Sequence, residues 1–358
     1  VDLGFSETQR QFRATLRRFM AGRAGRPVAE CWSGLAELGA LAALIPEAYG
    51  GVGGDCIDAI VILEELGRGL TATPIIETVL VAAGLIERLG SPRQKQEWLP
   101  AIAAGRVTFA FADGGYPAAS RFSAERDAAG FRLAGRQDGV AYAPACDRLL
   151  VLATEEGAAG PTLFQLDPSK PRIRAYRTID DRTGATIELG AIELAEAHRI
   201  GPHGGAGEAV AELQDLAVIG LCAEAVGIMA ALLNQTIAHL KTRTQFGRPL
   251  ADFQALQHRL ADMYMAYELA VSQTYKAAIL YRDRSADRPA AVSAAKILAT
   301  EAARLIGHEA IQFHGAIGMS LELPIGHAVK RLKAMEPQYG SARTHLRRWR
   351  ALERTGAA

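Results

Sequence analysis

The chain has 358 residues, 49% of them hydrophobic and 22% charged, with a formal net charge of +1. That length calls for two or three folding units with sizeable cores. The near-neutral balance leaves no excess charge to draw nucleic acid or an anionic membrane surface. Four cysteines, Cys31, Cys56, Cys146 and Cys222, lie far apart with neither metal-ligand nor redox spacing, so they read as buried free thiols in a reducing compartment. No leader pattern stands at Val1 and no apolar run is expected to span a bilayer, which together give a cytoplasmic expectation.

In chain order, the first third reads as helices. Ser6-Glu7-Thr8-Gln9 has the form of a capping box, and Phe12, Leu16, Phe19 and Met20 follow on one helical face. A second helix is predicted over residues 32–44 and a third over 56–67, the latter with Ile60, Val61, Leu63 and Leu66 inward and Glu64 and Glu65 alongside. Thr73-Pro74 breaks the chain before another helix over 75–89.

From Val107 the period changes. Short apolar runs at 130–135, 147–153, 161–166 and 185–190, separated by Gly, Asp and Pro, read as strands and turns. Strands clustered between helical blocks imply an α+β chain in three parts: an N-terminal helical domain (1–105), a central β-domain (106–205) and a C-terminal helical bundle (206–358). The last block opens with some 35 helical residues up to Thr242, and further helices are predicted over 256–281 and 290–313. Arg347-Arg348-Trp349-Arg350 reads as a solvated helix tail.

Residues 241–263, KTRTQFGRPLADFQALQHRLADM, break between two helices at Gly247-Arg248-Pro249. Arg243, Gln245 and Phe246 precede the break, and Gln254 follows it. A cation, an aromatic face and amides at one corner suit an anionic planar ligand. The same spacing also fits an ordinary helical hairpin with a solvated arginine.

This stretch resembles the signature of the acyl-CoA dehydrogenase family, flavoenzymes that oxidise the Cα–Cβ bond of acyl-CoA thioesters. Residues 38–70 and 89–112 resemble that family's N-terminal domain and its passage into the β-domain. Residues 312–318, QFHGAIG, resemble its C-terminal flavin-contacting loop. The resemblance implies a four-helix C-terminal bundle, FAD as cofactor and an acyl-CoA substrate. It also implies an acceptor of the electron-transfer flavoprotein type and a site shared across a dimer. One subunit's β-domain cradles the isoalloxazine, while the neighbour's C-terminal helices reach over to its adenosine diphosphate portion.

The reaching half is matched here. Arg243 stands where it would pair with the pyrophosphate, Gln245, Phe246 and Gln254 around it, and Gln312 and Gly315 in the Gln-x-x-Gly loop. The cradling half is not. The family's Thr-Glu-Pro-x-Ala-Gly-Ser-Asp-like loop is replaced by Phe111-Ala112-Asp113-Gly114-Gly115-Tyr116-Pro117. Its aromatic–Ile–Ser/Thr–Asn segment is replaced by residues 140–145, VAYAPA.

The catalytic glutamate position holds Tyr339, and the alternative position used by some members falls at Ala217. Losing a general base costs about 10²–10⁴ in rate. Asp215, Glu336 and Asp113 are the nearby carboxylates to weigh as replacements, each of which also reads as a solvated or capping acid. His308, His314 and His327 form no metal-ligand set. The combination resembles subunits of the heteromeric, α2β2, actinobacterial acyl-CoA dehydrogenases that degrade steroid side chains. There a paralogous partner seats the flavin. A flavin-free binding paralogue is the alternative.

Overall fold

The computed structural model describes residues 5–23, 26–113, 115–116, 120–127, 130–320 and 322–356. Gly114 and Pro117 of the altered loop lie outside them. Helices precede and follow a block of strands, which is the acyl-CoA dehydrogenase-like α+β architecture expected. By contacts the chain divides into two compact units. One comprises residues 28–55 and 73–217, and the other residues 1–27, 56–72 and 218–358.

The strand-containing unit carries helix α2 (Val28–Glu37), while α1 (Glu7–Met20) and α3 (Cys56–Arg68) belong to the other. Helix α2 ends sooner than predicted, because Gly39 turns left-handed at φ 74° and residues 40–42 continue as a 3-10 turn. The predicted helix over 75–89 is a π-helical stretch, Ile76–Ala82, running into α4 (Ala83–Leu89). Helix α5 (Pro92–Ala103) starts on a Ser91/Gln94 capping box.

Strands β1 (Phe109–Ala112), β2 (Phe122–Arg126), β3 (Phe131–Ala141), β4 (Arg148–Glu155), β5 (Pro161–Leu166), β6 (Arg172–Arg177), β7 (Thr183–Leu194) and β8 (Arg199–Ile200) form one sheet in the order β6-β7-β3-β2-β4-β5-β8. Strand β1 also pairs with β4, in parallel, and meets it at residues 148–151. Strand β2, likewise parallel, meets it at 153–155. One edge of β4 therefore holds both, and the chain leaves that edge at Ala112 and rejoins it at Phe122. Alternate residues, among them Phe122, Leu133, Leu149, Val151, Phe164 and Ile187, make the buried core of one face. Thr78 in the π-helical stretch accepts from Phe109 N–H at 3.0 Å and donates to Phe109 C=O at 3.1 Å, satisfying both polar groups of the strand's first residue.

The helical unit is built on α1, α3, most of α6 (Gly207–Thr242), α7 (Gln254–Arg282), α8 (Arg288–His314), α9 (Pro324–Met335) and α10 (Ala342–Gly356). The expectation that no run is long enough to cross a bilayer is corrected by α6, which by length and composition qualifies. Its most apolar window is 94% buried within the fold, which accounts for that composition. The helix predicted over 256–281 begins at Gln254, directly after a 3-10 turn over residues 250–252 and Phe253. The Arg-rich end is the middle of α10 rather than a tail, and Trp349 is 36% exposed.

Helices α3 and α6 touch backbone to backbone. A Cβ added at Gly227 would lie 1.9 Å from Glu64 O, and one at Gly67 2.0 Å from Glu224 O. Glu64 and Glu65 are buried rather than flanking. Glu65 receives a two-point bond from Arg17 (2.7 and 3.0 Å), and Glu64 accepts from Tyr275 Oη at 2.7 Å and pairs with Arg13. Glu224 and Arg331, each about 5% exposed or less, form a second buried two-point pair at 2.7 and 2.9 Å.

Candidate functional site

The corner predicted at residues 241–263 is a projecting hairpin. Beyond the end of α6, β9 (Thr244–Gln245) pairs antiparallel with β10 (Arg248–Pro249). The two residues between them, Phe246 and Gly247, have φ of 53° and 77°. Two consecutive left-handed residues match the twist of a two-residue hairpin, and glycine takes the second place without strain. An aromatic residue at the first place is strained by about 1–2 kcal/mol. Phe246 is nevertheless 92% exposed, so burial within this chain does not compensate for that strain.

The other predicted residues lie on the elements that frame this hairpin. Arg243, between α6 and β9, is exposed, as is Gln245. Gln254 opens α7 immediately after Phe253, whose ring meets the Phe246 ring edge-on at 6.2 Å. The Arg248 guanidinium sits 4.1 Å from the Phe253 ring centroid, a cation–π support that sequence reading missed.

Gln312 is exposed in the last turn of α8. Gly315 follows with φ 64° and ψ −146°, a conformation essentially reserved for glycine, and nothing lies within 4 Å of where its Cβ would be. The ends of α6 and α8 are joined by stacked rings of His239 and His314, 4.3 Å apart. His314, in the stretch that resembles a flavin-contacting loop, is the last residue of α8. His239 gave no signal because a lone histidine on a helix carries none.

The loop after β1 is turned the other way. Asp113, 8% exposed, accepts from Gly115 N–H at 2.8 Å and from the amides of Gln214 and Gln137. Gln214 also donates to Gly115 C=O at 2.9 Å, and Tyr116 Oη to Asp215 at 3.4 Å. Burial pushes the Asp113 carboxyl above the ordinary carboxylate range, against those hydrogen bonds. Tyr142, in the second altered segment, is 9% exposed with φ 57°, and its hydroxyl accepts from Arg182.

The two base positions differ in burial, Tyr339 being half-buried. Ala217 is fully buried within α6. Tyr339 has φ 49°, and its carbonyl accepts from Nε2 of the fully buried His345 at 2.8 Å. Lys296, 3% exposed, donates to the carbonyls of Met335 (2.8 Å) and Gln338 (2.9 Å), pinning the same turn, and burial pushes its ammonium down to about 8.

The replacement carboxylates are all engaged. Glu336 takes two bonds from Arg304 and one from Lys333, and the Arg304 bond leads in holding it below the usual range. Asp215 is fully buried, and Asp113 is committed as described. Among the described residues no group of His, Cys, Asp and Glu has a metal-ligand arrangement. All four cysteines are buried and free, as expected.

Models of the acyl-CoA dehydrogenase N-terminal and C-terminal domains match residues 6–106 and 209–350. Acyl-CoA dehydrogenase FadE27 of Mycobacterium tuberculosis is 32% identical over 89% of this chain and 86% of its own. This chain belongs to the acyl-CoA dehydrogenase family. Among solved structures, the ChsE4-ChsE5 complex from Mycobacterium tuberculosis superposes with a TM-score of 0.88 at 26% identity, covering 100% of this chain and 99% of that one. The Tcur3481-Tcur3483 steroid ACAD does so at 0.88 and 29%, covering 98% and 99%.

Members of this acyl-CoA dehydrogenase family are FAD-dependent. The hairpin and the α8 turn fit the diphosphate end of that cofactor: an exposed guanidinium, an open glycine cradle and a projecting aromatic. The described part of the loop after β1 does not fit the flavin end, because its donors and acceptors are spent on one another.

Proposed function

We propose that the chain is one subunit of a heteromeric FAD-dependent acyl-CoA dehydrogenase, lending its arm to a flavin seated in a paralogous partner. The observation that carries this reading is Phe246, held left-handed at 92% exposure on a hairpin beside Arg243. A strained, exposed aromatic is kept where something outside the chain covers it. Arg243 would make charge-assisted hydrogen bonds to the diphosphate, with Gln245, Phe246 and Gln254 around it and Gln312 and Gly315 from α8. FAD supplies the hydride acceptor of the reaction. The carboxylate that takes the α-proton comes from the partner, because Tyr339 and Ala217 occupy this chain's positions for it and a phenol near pKa 10 stays protonated at neutral pH.

Solved relatives named for a ChsE4-ChsE5 complex and for a steroid ACAD support a two-subunit assembly and a bulky steroid-type acyl-CoA. An α2β2 stoichiometry and an electron-transfer flavoprotein-type acceptor complete the proposal. The test is the flavin-to-chain ratio. Purified alone, the chain is expected to be colourless. Co-expressed with its paralogue it should yield a yellow complex with one FAD per pair of chains. Yellow homomers that turn over acyl-CoA would overturn the reading.

A further inference from the structure

Two histidines that are not among the predicted cofactor contacts flank the arm, one of them, His314, within the 312–318 stretch. His239 lies in the last turn of α6, and His314 ends α8. Their rings stack at 4.3 Å with 28° between planes. His314 Nδ1 is 2.8 Å from Ala310 O. A carbonyl oxygen only accepts, so that nitrogen carries a hydrogen and the ring is oriented by its own helix end.

The backbone ties each ring to a predicted cofactor contact. Arg243 N–H donates to His239 C=O at 2.8 Å, and Arg243 C=O accepts from Leu250 N–H at 2.8 Å, closing the base of the hairpin. On the other side, Gly315 N–H donates to the carbonyls of Gln312 and Ile311. His239 is thus one helical turn from Arg243, and His314 sits within the Gln312–Gly315 turn itself. The stack is a direct brace between them.

In two imidazoles in face contact, a positive charge on one opposes a second on the other. Partial burial holds His239 below the ordinary histidine range, and the charges of His314 across the stack and of Arg243 at its own helix end add to that. Arg259 on α7 is paired with Glu309 of α8 and lies over the Phe313 ring, and Lys241 is on the exposed surface.

We propose that His239 and His314 are positioning residues for the cofactor's diphosphate: stacked, they fix the spacing between Arg243 and the Gln312–Gly315 turn, and protonation of both rings releases it. This rests on the donated-arm reading above.

The experiment uses the complex of the full chain with its co-expressed flavin-bearing partner and follows FAD release by recovery of flavin fluorescence. Wild-type complex is expected to release FAD about tenfold faster near pH 5 than near pH 7.5. His239→Phe keeps a ring without a charge, and should release slowly with a flat profile. His239→Ala should release fast at both pH values. Arg243→Ala tests the parent reading, and should accelerate release throughout.

If Arg243→Ala changes nothing, the donated arm itself is wrong. If it accelerates release while His239→Phe follows the wild-type pH profile, or behaves like His239→Ala near neutrality, the positioning role is overturned. In the chain alone, His239 followed by its ring ¹⁵N–¹H shifts should titrate closer to the ordinary range in His314→Phe than in wild type. An unmoved titration would also overturn the brace.

Discussion

Two turns of this chain, one at Gly115 and one at Phe246-Gly247, show opposite ways of handling polar and apolar groups. At Gly115 the backbone N–H and C=O are both satisfied inside the chain, by Asp113 and Gln214. At Phe246 the backbone is strained and the ring projects into solvent. A segment that no longer meets a ligand gains by folding onto itself, since a buried polar group left unpaired costs about 1–3 kcal/mol. A segment kept for an external ligand gains nothing from internal contacts and stays open. On the donated-arm proposal, this chain holds one of each.

The largest test concerns the frame beneath the open turn. Gly227→Ala should destabilise the chain by more than about 4 kcal/mol, because the new methyl meets the Glu64 carbonyl oxygen and neither helix backbone has room to yield. Thermal unfolding checks it, and a shift of only a few degrees would show the two helices free to move. Next comes Arg243→Ala, which in the assembled complex should weaken FAD binding by about 10- to 100-fold through the loss of charge-assisted hydrogen bonds. Fluorescence titration of FAD into stripped complex reads it directly. Were Asp113→Ala to weaken FAD more than Arg243→Ala does, the contrast between the two turns would be inverted.

Phe246→Gly separates strain from use. It should leave the isolated chain at least as stable, by up to about 1 kcal/mol, while weakening FAD retention in the complex several-fold. Chemical denaturation and flavin retention give the two readings, and a less stable isolated chain would mean the ring packs internally after all.

In pH dependence the two units differ in sign. Lys296 has a folded pKa of about 8 against an ordinary 10.5, so above pH 8 the unfolded chain holds the extra proton and stability rises with pH up to 10.5. Asp113 is raised from 3.8, so the folded chain holds the extra proton and stability falls as pH climbs from 3.8 through its folded pKa. Denaturation midpoints of Lys296→Met and Asp113→Asn should each lose the slope in the corresponding window. A slope that survives either substitution assigns it to another group.

Much of this was legible in the sequence where the signal is local. The Ser6/Gln9 capping box forms as written, β5 spans the predicted residues, and the long helices fall within about two residues of their expected limits. What failed to show depends on tertiary context. Strand β6, RIRAYR, is exposed nearly throughout, so no alternation marks it, and β2 has just Phe122 and Ala124 inward. Gly39 reads as a tolerable helix residue until its left-handed φ ends α2.

The proposed arm residues were singled out by the chain break and by resemblance, but the two-residue hairpin that carries Phe246 was not foreseen. His239, Phe253 and Arg248 were missed as supports because each acts through a neighbour distant in sequence or across a turn. Glu64 and Glu65 read as lying alongside the inward face, and their burial rests on the arginines of α1 and, for Glu64, on Tyr275 of α7.

The shared edge of β4 bears on how a subunit of the kind proposed above would arise. Because β1 and β2 are each anchored to that strand by their own rungs, the stretch between them can be trimmed or rewritten while both anchors stay in register. Gene duplication followed by erosion of a cofactor loop there would leave the sheet standing, so one copy can drift into dependence on its sibling without ever passing through a misfolded ancestor.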